Sequence, residues 1–154
     1  MATRVWLAGE QDLESVAALM GGFRDHMGKE QPSDADIRST VATLLRDPQT
    51  EFLLAAPDGQ RAAGVCQLRY RLAVWTGADD CWLEDLFVES DARRSGLGRA
   101  LISEALERAR ARGCRRIDLD VNEDNASALA LYREMGFSTE SKPPGRTLYV
   151  ARKL

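Results

Sequence analysis

The segment that most constrains this chain runs from Val88 to Leu101, where an apolar stretch passes through Arg93-Arg94-Ser95-Gly96-Leu97-Gly98-Arg99 into an amphipathic run that begins at Ala100 and Leu101. Glycines at 96 and 98 let the main chain come close to a ligand. The first turn of a helix leaves N–H groups pointing outward, with the positive end of its dipole behind them. A strand that turns in this way into a helix is a cradle for a phosphate-like anion. Arg93, Arg94 and Arg99 add countercharge. The spacing is not that of a Walker loop, Gly-x-x-x-x-Gly-Lys, nor of the dinucleotide fingerprint Gly-x-Gly-x-x-Gly.

The flanks agree. Residues 81–88 read as a mostly apolar strand, and Leu97, Leu101, Ala105 and Ala109, with Ile102 and Leu106 beside them, form a helical stripe that Gly113 ends. Ile117, Leu119 and Val121 alternate with Asp118 and Asp120 as a half-exposed strand. Asn125 then caps a helix that carries Leu129, Ala130 and Tyr132 and stops at Gly136.

Toward the N-terminus, residues 5–7 suggest a strand and residues 12–20 a helix interrupted at Gly21-Gly22. An irregular connection over 21–33 leads to a second helix, capped by Ser33 or Asp34 and followed by Pro48. Strands at 51–56 and 64–75 are joined at Asp58-Gly59, residues 76–80 form the next turn, and a last strand at 147–152 follows the Pro143-Pro144-Gly145 loop. The order β-α-α-β-β-β-α-β-α-β implies an α/β fold, a mixed central sheet flanked by helices. The 154 residues, 44% of them hydrophobic, suit one domain over 1–154.

A net charge of −3 argues against a general nucleic-acid binder. Charge is nonetheless uneven: from Arg93 to Arg116 eight arginines stand against Glu104 and Glu107. Arg108, Arg110 and Arg112 read as a solvated helix face. Three cysteines without a Cys-x-x-Cys pair, and the single histidine His26, give no metal cluster and suit a reducing cytoplasm. Cys81 reads as a buried thiol rather than a nucleophile. Neither a signal peptide nor a membrane span is expected.

Arg93-x-x-Gly96-x-Gly98 resembles the acetyl-CoA signature of the GNAT acetyltransferase superfamily, and Asn125-x-x-Ala128-x-x-x-Tyr132-x-x-x-Gly136-Phe137 resembles its second recurring element. The likeness is close over about 82–137 and rests on element pattern before that. It implies the GNAT fold, in which the fourth and fifth strands splay apart at a bulge and acyl-CoA lies in the gap. On this resemblance acetyl-CoA is held by the main-chain N–H groups of Leu86, Phe87 and Val88, by the loop Arg93, Arg94, Ser95, Gly96, Leu97, Gly98, Arg99 and Ala100, and by the Asn125 amide. Arg115 or Arg116 is then in reach of the adenosine 3′-phosphate. The matching tyrosine in relatives stands near the thioester sulfur, so Tyr132 is the expected general acid. Relatives are often dimers, which makes a homodimer the expected assembly.

Acetyl transfer to an amine needs a neutral nucleophile, charge stabilisation at the carbonyl oxygen and a proton for the departing thiolate. Glu84 and Asp85 are adjacent acids in an apolar strand, and charges so placed are paired or used. Strict alternation puts Glu84 on the face of Trp82, Leu86 and Val88, with Asp85 on the other. Glu84 is expected to bind the acceptor ammonium and take its proton, with Asp85 aiding recognition. The alternative is an ion pair with Arg69 or Arg71. The segment Trp82-Leu83-Glu84-Asp85-Leu86-Phe87-Val88 is similar to the spermidine/spermine (diamine) acetyltransferase branch, which implies a small cationic amine such as a polyamine. A protein or peptide amine is the alternative acceptor, and a catalytically idle acyl-CoA-binding module is the alternative of another class.

Overall fold

The computed structural model describes residues 2–140 and 144–154, so Pro143 of the expected last loop lies outside the described residues. The chain divides into two compact units, Met1–Asp120 and Val121–Leu154.

The first unit is built on a five-stranded sheet of order β1-β2-β3-β4-β5, with β1 at Thr3–Leu7, β2 at Thr50–Pro57, β3 at Gly64–Ala73, β4 at Ala78–Val88 and β5 at Ile117–Asp118. The first four strands pair antiparallel, and β5 runs parallel to β4. A parallel return needs a long crossover, here the helix α3 at Leu97–Ala111. Its stripe Leu97, Leu101, Ala105 and Ala109 joins Leu53, Cys66, Leu68, Tyr70, Cys81 and Leu83 in one core. On the opposite face α1 (Leu13–His26) and α2 (Asp34–Leu45) bury Val16, Leu19, Ile37 and Val41 against Phe52, Leu54, Val65 and Phe87. Ser33 caps α2 by accepting from the Asp36 N–H at 3.1 Å.

Three expectations for this unit need correction. Gly21-Gly22 does not interrupt α1, which continues to His26. The pair serves close approach instead: a Cβ at Gly22 would lie 3.4 Å from the Phe87 ring, and one at Gly21 3.4 Å from Asp34. The following connection is also tied down, because Arg24 donates to the Pro32 carbonyl at 2.8 Å and pairs with Asp34. Next, β4 starts at Ala78, so the turn is shorter and earlier than 76–80. Asp79, whose composition suggests a turn, is instead held in the strand by Arg112 at 3.0 Å. Finally, β5 ends at Asp118 rather than Val121.

The second unit contains α4, Ala126–Glu134, capped by Asn125. No strand forms at 147–152, where Leu148, Tyr149 and Val150 are exposed. Strand propensity measures fit to a partner's edge, and no described residue gives this segment a ladder. Among the described residues no helix is long and apolar enough to cross a membrane.

Candidate functional site

The cradle forms where the chain leaves β4. Ser90–Ala92 make one 3-10 turn, and Ser95 Oγ donates to the Ala92 carbonyl. Arg94 takes a left-handed conformation at φ 63°, and Gly96 follows at φ 84° as the N-cap of α3. The first helical bond runs from the Ala100 N–H to the Gly96 carbonyl at 3.0 Å. No side chain caps this end. The main-chain N–H groups of Leu97 and Gly98 therefore point out of the helix at the positive end of the dipole, with no hydrogen-bond partner among the described residues. A Cβ at Gly96 would meet nothing within 4 Å, so the space before the helix is open and a side chain would fill it. Leu97, 1% exposed, anchors the turn in the core. An uncapped helix start of this kind suits an anion.

Beside the cradle, β4 parts from β5. The two pair only at Cys81–Ile117 and Trp82–Asp118, so from Leu83 onward that edge of β4 has no strand partner among the described residues. Ladder alternation decides which groups it offers. The Glu89 N–H donates to Ala63 across β3, which makes Val65 and Phe87 a hydrogen-bonded pair and turns the Leu86 and Val88 N–H groups away from β3. Phe87 thus uses its N–H within the sheet. Leu86 and Val88 are left of the expected three.

The register holds a further correction. Gln67 stands opposite Asp85, but Leu68 stands opposite Leu83, so Glu84 is the extra residue of a β-bulge. Alternation is broken there. Leu86 and Val88 pack with Cys81 and Leu83 on the α3 face rather than sharing a face with Trp82. Asp85 falls on the other side, with Gln67 beside it and Phe87 two residues on. Glu84 is exposed and forms no ion pair among the described residues, while Arg69 lies 4.0 Å from Asp47 instead. Asp85 is half-buried. Burial pushes its carboxyl up to about 6, Glu84 and Asp120 add to the rise, and Lys29 opposes it. Gln67 drew no expectation from the sequence, and Asp120 only that of an outward strand position. A lone amide inside the buried run Val65-Cys66-Gln67-Leu68 was the available signal.

Phe87 carries the wall on this side. Phe23 stacks on it with centroids 5.3 Å apart, and the His26 ring lies 6.0 Å away. Arg93, expected as a phosphate countercharge, folds back here: Nε donates to the Val88 carbonyl at 3.1 Å and Nη2 lies 3.4 Å from both His26 ring nitrogens.

The arginines of α3 divide by face. Arg110 is exposed and pairs with Glu107, as a solvated position should. Arg108 and Arg112 depart from that expectation. Arg108 forks onto Glu51, which also accepts from the Tyr70 hydroxyl, and Arg112 lies 3.9 Å over the Tyr70 ring while donating to Asp79. Although burial pushes the Glu51 carboxyl up, the bonds from Arg108 and Tyr70 outweigh it and hold it below the usual range. Arg116 is paired with Asp118 at 2.8 Å. Cys81 is 1% exposed, and burial pushes its thiol up to about 12, which removes the thiolate a nucleophile needs.

In the second unit the Asn125 side chain accepts from the Ala128 N–H at 3.3 Å, so it is a helix cap. Tyr132 is the buried residue of α4 and packs edge-on against Phe137 at 5.6 Å.

Comparison with known proteins gives a consistent picture. The model of the acetyltransferase (GNAT) family matches residues 15–137. Mycothiol acetyltransferase of Kineococcus radiotolerans is 34% identical over 140 residues, which cover 90% of this chain and 43% of that protein. The ribosomal protein bS18-alanine N-acetyltransferase of Escherichia coli K12 is 38% identical over 60 residues, 39% of this chain and 40% of that one. The chain spans about two fifths of the length of the mycothiol acetyltransferases it matches. The crystal structure of ribosomal-protein-alanine N-acetyltransferase from Brucella melitensis biovar Abortus 2308 shares the fold, with a TM-score of 0.78 at 20% identity over 99% of both chains.

Proposed function

This chain belongs to the GNAT acetyltransferase family, and from that premise we propose that it transfers the acetyl group of acetyl-CoA to a primary amine of a small cationic acceptor. One observation carries the reading: the uncapped start of α3 at the open Gly96 lies at the end of the strand whose free edge offers the Leu86 and Val88 N–H groups. The amides of Gly96, Leu97 and Gly98 hold the diphosphate, with Arg94 and Arg99 as countercharge; the Ala100 N–H, expected among them, is spent on the Gly96 carbonyl. The free edge of β4 binds the pantetheine arm as an added strand and directs an N–H at the thioester carbonyl. The Asn125 amide, besides capping its helix, contacts the pantetheine. Bound there, the co-substrate supplies an activated acyl carbon.

The acceptor enters on the acidic side, where Glu84, Asp85 and Asp120 outnumber Lys29. That balance favours an ammonium, and polyamines and diamines are the simplest acceptors of that kind. Tyr132 protonates the departing thiolate; its place in the motif from Asn125 to Phe137 supports this role. A peptide N-terminus is a second reading, favoured by the match to the bS18-alanine enzyme. Release of CoA thiol from acetyl-CoA, followed over polyamines, aminoglycosides, amino acids and short peptides, tests the proposal. Turnover with small polycations alone supports it, turnover confined to peptides favours the second reading, and acetyl-CoA binding without turnover on any amine leaves an acyl-CoA-binding module.

A further inference from the structure

We propose that Asp85, rather than Glu84, takes the proton from the acceptor's ammonium; the inference rests on the transferase reading above and names the base within it. The bulge is the reason. An unbroken strand would put the two acids on opposite faces with equal standing, but the extra residue at 84 leaves Glu84 exposed and sets Asp85 against the buried Gln67, on the face lined by Phe87 and Phe23. Among the described residues neither hydrogen bond nor ion pair engages the Asp85 carboxylate, so its lone pairs are available. A half-buried acid without a partner is costly to keep unless it is used.

The groups that face it are Glu84 on its own strand, Asp120 beyond β5, and Lys29 on the connection after α1. The His26 ring lies 6.0 Å from that of Phe87 and engages Arg93. Two carboxylates against one nearby cation raise the affinity of Asp85 for a proton, and burial acts in the same direction. The base is thereby moved toward the range of the amine it must deprotonate.

The ammonium loses one proton to Asp85 Oδ, and the freed nitrogen lone pair forms the C–N bond to the acetyl carbon. The C–S bond breaks with its electron pair on sulfur, which takes the proton of the acid assigned to Tyr132. The new amide nitrogen returns a proton to that oxygen, and Asp85 releases its own to water.

The test compares Asp85→Asn, Glu84→Gln and wild type by kcat/KM across pH 5–9, with acetyl-CoA affinity measured on each. The wild type is expected to lose activity below about pH 6. Asp85→Asn should lower kcat/KM roughly 100-fold or more and abolish that acid limb while binding acetyl-CoA normally. Glu84→Gln should keep the limb and lose less than roughly 10-fold. A limb retained in Asp85→Asn, or lost in Glu84→Gln, overturns the inference and leaves the transferase reading intact. A wild type that releases no thiol with any amine overturns both.

Discussion

Asp85 faces Gln67 across the β3–β4 ladder, and Glu84 before it has no opposite residue. Burial of the Asp85 carboxyl at this pairing carries a stability cost. The folded-state pKa of Asp85 lies near 6, above its ordinary 3.8, so the folded protein holds this proton more tightly than the unfolded chain. The resulting stability is complete below about pH 4 and is lost as the pH rises through 6. Asp85→Asn removes the penalty. It should be more stable than wild type at pH 8, by on the order of 1–2 kcal/mol after allowance for solvent screening, with the difference gone at pH 4. Urea unfolding at the two pH values checks this.

Glu51 behaves in the opposite sense. Arg108 and Tyr70 hold its carboxylate below the usual range, so its stabilisation is present at neutral pH and lost as the pH falls through that lowered value. Arg108→Ala strands a largely buried charge and should cost about 3 kcal/mol at pH 7. The cost should shrink toward pH 3. A change below about 0.5 kcal/mol at pH 7 would mean that the pair is solvated, as surface pairs are.

Arg94 holds a left-handed backbone at φ 63°, which costs an L-residue roughly 1–2 kcal/mol. Arg94→Gly relieves that strain and adds chain entropy to the unfolded state, a partial offset. A net gain of about 0.5–1 kcal/mol is expected, about 1–3 °C in Tm by calorimetry. A lower Tm would show that the arginine side chain is worth more to the fold than its backbone strain.

Tyr132→Phe keeps the ring that packs on Phe137 and removes the hydroxyl alone. As a proton donor its loss should lower kcat roughly 10²–10⁴-fold with acetyl-CoA affinity nearly unchanged. Steady-state kinetics with the best amine of the panel decide it; an unaltered kcat would make Tyr132 a structural aromatic.

What could be read from the residues was local. Gly96, the stripe from Leu97 to Ala109 and the Asn125 cap are set by neighbours within a few positions, and their helices appear where the spacing puts them. The bulge was hidden because register belongs to two strands, and nothing in Leu83-Glu84-Asp85 says that Leu68 will pair with Leu83. Arg108 looked like a surface residue because its partner Glu51 lies 57 positions away. Arg93 looked like a phosphate ligand, and only the end of α1 brings His26 to it. The segment around Leu148 and Tyr149 has strand composition without a strand edge to meet, which composition alone does not reveal.

The central claim is that main-chain amides at the start of α3 grip the diphosphate of acetyl-CoA. Isothermal titration of acetyl-CoA into wild type, Gly96→Ala and Gly96→Glu tests it most directly. Both variants carry the strain of a side chain at φ 84°, so only the glutamate adds negative charge to the open space. Wild type should show saturable one-to-one binding, Gly96→Ala a modest loss, and Gly96→Glu a loss of roughly 30-fold or more. Equal dissociation constants for wild type and Gly96→Glu, or no heat of binding for wild type, would contradict the account.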